Sequence, residues 1–252
     1  QHNGAVAPRY VYAVGLRPMD VAAHILHEDN HLLLVNKPAG VLTQGDATGD
    51  AALPDLVKAF LKARDHKPGN VFVGVVHRLD RPVSGVVALA KTSKALERLT
   101  AAFRTRAVEK VYWALLTRRP RAEEATLVHW LTKDERRNVV TAHPREVPGS
   151  QRAELSVRLL GPAGPHWLVE VRPLTGRPHQ IRVQLAAGLG APIVGDVKYG
   201  APRPLPNPRQ IALHARRLTV PHPTKVGESV TVEAPLPPGA PWSVVSADQF
   251  NG

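Results

Sequence analysis

Apolar and polar positions fall in blocks short enough to be strands. Leu32-Leu33-Leu34-Val35 is a continuous apolar run that follows the turn-forming Asp29-Asn30 and stops at Asn36-Lys37-Pro38-Ala39-Gly40. Residues 71–76 form a second apolar run and residues 85–90 a third, with an abruptly charged loop, 77–84, between them. Ser93 is placed to cap a helix carrying Leu96, Leu99 and Phe103 on one side, at i, i+3 and i+7. Val111, Trp113 and Leu115 then alternate with Lys110, Tyr112 and Ala114, the period of a half-buried strand. If the first set faces the core, Lys110 and Tyr112 lie on the opposite face. Farther on, Thr175-Gly176-Arg177-Pro178 reads as a turn into a helix with Pro in its first turn. Ile181, Leu185 and Leu189 give that helix an apolar stripe and leave Arg182 beside it, near His179 and Ala186. Strands mixed with occasional helices, without regular βαβ alternation, predict an α+β fold. The proline-dense 201–208 reads as an exposed connector, and 143–150 as a second irregular stretch. Residues 1–20 are weakly patterned, so the expected organisation is an N-terminal arm over 1–21 and one continuous unit over 22–252.

Composition narrows the chemistry. The 252 residues include 33 Lys+Arg against 21 Asp+Glu, a formal net charge of +12. Such an excess points to a polyanionic partner, most often nucleic acid, although it also serves solubility. The chain has no Cys, which removes disulfides, thiolate zinc sites and cysteine nucleophiles. No apolar run approaches ~18 residues, so no membrane span is expected, and the cytoplasm is the default compartment. The 12 His include no HExxH and no close pair on a helix, and no glycine-rich phosphate loop occurs. No metal and no nucleotide cofactor is therefore expected.

Within the charged loop, Asp80 is flanked by Arg78 and Arg81. Nearby guanidinium groups favour an ionised carboxylate, available as nucleophile or base. A structural Asp–Arg pair capping a turn would leave the same pattern. Arg177 beside a helix N-terminus makes a candidate phosphate site, because free N–H groups and the helix dipole both favour an anion.

The loop and its continuation, VHRLDRPVSG then VVALAKTSKAL, resemble the signature of the RluA family of RNA pseudouridine synthases. The resemblance extends to ILHEDNHLLLVNKPAG at residues 25–40, FRTRAVEKVYWALL at 103–116, RPLTGRPHQIRVQL at 172–185, GDVKYG at 195–200 and Leu213-His214-Ala215. These motifs are collinear over about residues 22–240. The resemblance implies the family's catalytic fold: a mixed, mainly antiparallel central sheet flanked by helices and loops, with the active-site cleft across it. It also implies an isomerase that converts uridine in structured ribosomal RNA of the large subunit, or in tRNA, to pseudouridine without cofactor or metal. Asp80 would be the nucleophilic carboxylate, Tyr112 a stacking and proton-moving phenol, and Arg182 the partner of the aspartate. His77, Arg78, Arg81, Lys110, Arg177, His179 and Gln180 would contact substrate. The oligomeric state is open to sequence, with a monomer the favoured expectation. Whether the aspartate adds to C6, attacks C1′ or assists a glycal route stays open at this level.

Val83 stands where the family more often has Thr, and Gln184 replaces a frequent His. With about 20 residues before the first motif, no S4-type RNA-binding domain is expected, and RNA selection is expected to rest on the catalytic unit. Arg104, Arg106, Arg118, Arg119, Arg121, Arg136 and Arg137 are candidate phosphate contacts. Two other function classes compete. A non-catalytic RNA-binding or ribosome-assembly factor on the same fold would carry a lesion at Asp80, Tyr112 or Arg182, and none is present. A carboxylate-dependent nuclease or glycosidase needs a second acid, where this chain offers arginines.

Overall fold

The runs at 32–35 and 85–90 are continuous, rather than alternating, because both of their faces are buried. In the computed structural model, which describes residues 19–46 and 48–246, Leu33, Val35, Val87 and Leu89 enter one apolar core, while Leu32, Leu34, Val86 and Ala88 enter a second. In chain order the elements are β1 (Ile25–Glu28), β2 (Leu32–Lys37), α1 (Leu53–Arg64), β3 (Gly74–Val75), β4 (Ser84–Ala90), α2 (Ser93–Arg104) and β5 (Glu109–Leu116). There follow β6 (Glu124–Asp134), β7 (Val139–His143), β8 (Gln151–Ala163), β9 (His166–Pro173), α3 (Gln180–Leu189), β10 (Leu213–Pro221) and β11 (Ser229–Glu233).

The strands form one sheet in the order β1-β2-β4-β10-β5-β9-β8-β6-β7, with β3 on β4 and β11 on β10. Every pairing is antiparallel except β4 with β10, where His214 faces Ser84 and Ala215 faces Gly85. The expected α+β class and mainly antiparallel sheet are therefore what the chain adopts. Gly85 has φ +115°, and a Cβ there would overlap the Ala215 backbone, so the strand leaving the charged loop needs glycine. Helix α2 lays Ala95, Leu96, Leu99 and Phe103 on the second core; α1 and α3 contribute to the first.

Three local readings change. The cap of α2 is Thr92, whose extended backbone lets its side chain accept the Ala95 N–H at 3.2 Å; Ser93 is already helical. Only Gly74 and Val75 of the 71–76 run pair, because the second edge of β4 is divided between β3 at one end and β10 at the other. Pro178 precedes α3, and His179 occupies the cap position with φ +51°. Residues 1–18 of the expected arm lie outside the described residues, while Met19 and Val21 pack on the first core. Of the 143–150 stretch, His143 ends β7 and pairs with Trp130, while 144–150 join β7 to β8 and are irregular as expected.

The side of β5 that carries Glu109, opposite to Lys110 and Tyr112, bears a ladder of ion pairs. Arg158 meets Glu170 at 3.8 Å, Arg172 meets Glu170 at 2.9 Å and Glu109 at 2.6 Å, and Arg217 meets Glu109 at 3.4 Å and Glu233 at 3.7 Å. It spans five strands, from β8 through β9, β5 and β10 to β11. Among the described residues, no helix is long and apolar enough to cross a membrane.

Candidate active site

Asp80 lies in the loop that joins β3 to β4, and its backbone is clamped from several directions. Thr43 Oγ1 donates to Leu79 O at 2.9 Å and accepts the Leu79 N–H at 3.3 Å. The Gly40 N–H donates to Arg81 O at 2.8 Å, and Arg81 Nε donates back to Gly40 O at 3.0 Å. Beneath the loop, the fully buried Lys37 donates to Val41 O at 2.9 Å, Pro38 O at 3.1 Å and Arg81 O at 3.3 Å. Burial pushes the Lys37 ammonium down to about 7, with the Asp80 charge opposing. A turn closed by the Val83 N–H on Asp80 O completes the clamp, so the carboxylate projects from a rigid base.

The partner of that carboxylate is Arg182, from α3. Its Nη1 donates to Asp80 Oδ2 at 3.2 Å, while Nε and Nη2 grip Asp196 in a fork at 2.7 and 2.8 Å. Burial works against the guanidinium charge, but the Asp196 and Asp80 carboxylates outweigh it and hold Arg182 above its ordinary value. The Arg182 guanidinium also lies over the Tyr199 ring, 5.1 Å from its centroid. His179 Nε2 is 3.9 Å from Asp80 Oδ2.

Asp80, His179 and Arg182 stand between two cavities. The smaller, about 100 Å³, is walled by Lys110, Tyr112, Val83, Arg177 and Ile181. Burial, and then the Asp80 charge, push the Tyr112 phenol up, so it keeps its hydrogen at neutral pH. The larger, about 640 Å³, is lined by Arg78, Arg81, Lys133, Asn138, Lys198 and Arg209 among others. The proline-dense stretch read as a plain connector brings Pro208 to this wall.

The fold thus brings Asp80, Tyr112, Arg182, Arg78, Arg81, Lys110, Arg177 and His179 to the cavities, and treats two expected contacts differently. His77 lines neither cavity: its ring stacks on Phe103 at 4.5 Å and its Nε2 accepts the Ala88 N–H at 2.9 Å, which makes it part of the α2 side. Gln180 borders the smaller cavity, but its amide is consumed inside the turn. It accepts from Thr175 Oγ1 at 2.7 Å and the Arg177 N–H at 3.0 Å, and donates to Glu154 O at 3.0 Å. That arrangement also occupies the Arg177 N–H expected to meet a phosphate. Nor do the sequence neighbours of Asp80 pair with it. Arg81 turns to Asp50, and Arg78 reaches Gln44 at 3.4 Å. Gln184, standing in for a histidine, donates to Leu127 O and His129 Nδ1, both at 3.1 Å, and ties α3 to β6. Sequence reasoning missed Lys37, Asp196 and Tyr199, although the GDVKYG motif holding the last two was recognised.

Two histidines, His214 buried and His77 half-buried, set a pH response. Burial pulls His77 down to about 3, helped by Lys110, and pulls His214 down to about 4, helped by Arg216 against the bond to Ala234 O. The unfolded chain protonates both near 6.5 and so binds more protons than the folded chain below that pH. Stability present above pH 6.5 should therefore fall by about 1.4 kcal/mol per pH unit per histidine as the pH drops toward 4. Urea unfolding between pH 7 and 5 measures this slope, and His77→Gln should reduce it. An unchanged slope in that variant would refute the assignment.

The family model of RNA pseudouridylate synthase matches residues 31–187. The chain is 32% identical to a mitochondrial pseudouridylate synthase RPUSD4 of Xenopus tropicalis, over 92% of this chain and 81% of that one. It is also 32% identical to the ribosomal large subunit pseudouridine synthase C of Rickettsia prowazekii, over 85% of this chain and 68% of that one. Among solved structures, human RNA pseudouridylate synthase domain containing 4 superposes with a TM-score of 0.71 at 27% identity, covering 86% of this chain and 90% of that one. With its signature loop carrying the carboxylate and its fold matching theirs, the chain belongs to the RluA family of RNA pseudouridine synthases, isomerases that turn uridine in RNA into pseudouridine.

Proposed function

We propose that this isomerase acts on structured RNA, with large-subunit ribosomal RNA as the first substrate to test and tRNA as the second, and that Asp80 is its nucleophilic carboxylate. The observation that carries the reading is the position of Asp80. It sits on a clamped loop, is held by a buried arginine, and opens both to a small cavity walled by Tyr112 and to a larger basic one. Uridine and pseudouridine are isomers. The N1–C1′ bond breaks, a C5–C1′ bond forms, the C5 proton leaves and N1 acquires one, so the balance calls for no co-substrate. Asp80 supplies the nucleophile. The Tyr112 ring offers a stacking face for the uracil, worth ~1–3 kcal/mol, and its retained hydrogen makes it a donor. Arg182 orients the carboxylate and is itself locked by Asp196.

The uridine must leave its stack to reach Asp80, at a cost of a few kcal/mol. Phosphate contacts from the basic residues around both cavities, Arg78, Lys110, Lys133, Arg177 and Lys198, offset that cost. For about five such contacts, RNA affinity should fall by two to three decades between roughly 50 and 200 mM salt. Filter binding across that range checks it, and a flat response would show phosphate contacts to be minor. Action as a monomer in the cytoplasm is part of this proposal. Mapping pseudouridines in total RNA from a strain lacking the gene, beside its parent, tests the substrate. A site lost from large-subunit ribosomal RNA bears out the first choice, a site lost from tRNA replaces it with the second, and no lost site in either refutes both.

A further inference from the structure

We infer that Tyr199 is a positioning residue that decides which oxygen of Asp80 is free to react, and that it couples this choice to the β6–β7 hairpin. The inference rests on Asp80 being the nucleophile.

Tyr199 ends the short helical turn Val197–Tyr199 that follows Asp196. Its Oη accepts the Val140 N–H of β7 at 3.0 Å and lies 2.6 Å from His179 Nδ1. The Val140 contact fills one lone pair of Oη, and in the arrangement we infer the phenolic hydrogen is donated to Nδ1. A neutral imidazole then carries its own hydrogen on Nε2, the atom that faces Asp80 Oδ2 at 3.9 Å. Arg182 Nη1 donates to the same oxygen at 3.2 Å. Arg182 thus makes the hydrogen bond to Oδ2, His179 Nε2 faces the same oxygen from 3.9 Å and would close on it with bound RNA, and among the described residues Oδ1 has no hydrogen-bond partner. Oδ1 is the attacking atom.

Two further observations agree. His179 adopts φ +51°, a conformation uncommon for residues other than glycine, and this backbone sets its ring on the walls of both cavities. The turn that bears Tyr199 is also bolted to the hairpin a second time, by Lys198 Nζ donating to Asn138 O at 2.8 Å. Lys133 and Asn138 of that hairpin line the larger cavity, so RNA seated there presses on the same turn that sets the imidazole. The charged and titratable groups around His179 are Asp80, Arg182, Lys198, Asp196 and Tyr199 itself; burial, the strongest influence, keeps the ring neutral against the pull of Asp80.

Tyr199→Phe removes only the hydroxyl and keeps a ring beneath Arg182. His179→Asn shortens the side chain away from Asp80 while tolerating the left-handed backbone. The probe is total RNA from a strain lacking the gene, tritiated at uridine C5, with the full chain in excess; tritium reaches water as the C5 proton leaves. Tyr199→Phe should slow single-turnover release roughly tenfold. Its RNA retention on filters should stay within about twofold, and the acid limb of its rate should move to higher pH, because Nδ1 is freed to take a proton. In the His179→Asn background the same change should add less than about twofold, the mark of residues acting as one unit. Parental rates in Tyr199→Phe, equal costs in both backgrounds, or a collapsed thermal transition in Tyr199→Phe would each overturn the proposal. Asp80→Asn in the same assay reports separately on the nucleophile: release by that variant removes the underlying reading, whereas its silence beside a fully active Tyr199→Phe removes only this one.

Discussion

Asp80→Asn should release no measurable tritium from C5-labelled RNA, a loss of at least about 10⁴-fold, while binding RNA within about threefold of the parent. Removing a nucleophile that acts in concert with its partners costs factors of this order or larger. The substitution is nearly isosteric, and the Asn side-chain oxygen can still accept from Arg182 Nη1. Arg182 keeps its fork on Asp196, so no buried charge is left bare and stability should hold within about 1 kcal/mol. Chemistry is lost with fold and binding intact, and persistent tritium release would end the assignment of Asp80.

Asp196→Asn should do the reverse and fail first in stability. Asp196 and Arg182 are only 2% and 6% exposed, and Asp196 supplies two of the three carboxylate contacts on the guanidinium. Neutralising Asp196 leaves the buried guanidinium with the single Asp80 contact, at about 3 kcal/mol, the low end for breaking a buried pair. For a domain of this size that lowers the melting temperature by about 10 °C. Isomerisation should also slow, because Arg182 then has only Asp80 to hold it. Replacing both residues with leucine should recover much of the lost stability, since an apolar pair can match a buried ion pair, but none of the activity. Thermal unfolding followed by circular dichroism separates these outcomes. A melting point for Asp196→Asn within about 1 °C of the parent would mean that the fork contributes little to stability.

Much of this architecture can be read along the chain, and the gaps have physical causes. The runs in β2 and β4, the stripe on α2 and the alternation that turns Tyr112 toward the cleft are local patterns, and each recurs in the structure. Ala153, Leu155 and Val157 alternate with polar residues in β8 just as clearly, and that strand was available to the same reasoning. Helix α3 was not. Its apolar stripe accounts for Ile181, Leu185 and Leu189, yet Gln180, Arg182 and Gln184 are buried too, with partners that include Glu154, Asp196 and Leu127. No local pattern predicts satisfied polar groups of that kind. Adjacency misled at Asp80, which Arg78 and Arg81 flank but whose arginine partner lies 102 residues away. The motif resemblance supplied Arg182, whereas Asp196 and Tyr199 needed the fold.

The ion-pair ladder on the far side of the sheet has an electrical consequence. Arg158, Arg172, Arg217 and Arg216 meet Glu170, Glu109 and Glu233 there, four charges against three, so the ladder accounts for only one of the surplus of +12. The rest of the surplus lies outside the ladder, and part of it, from Arg78, Lys110, Lys133, Arg177 and Lys198, lines the two cavities. Paired and close to neutral, the ladder offers a phosphate backbone less than the cavity rims do. Converting the three glutamates to glutamine would raise the net charge while making the molecule a worse discriminator, drawn to RNA through a face that has no carboxylate to react.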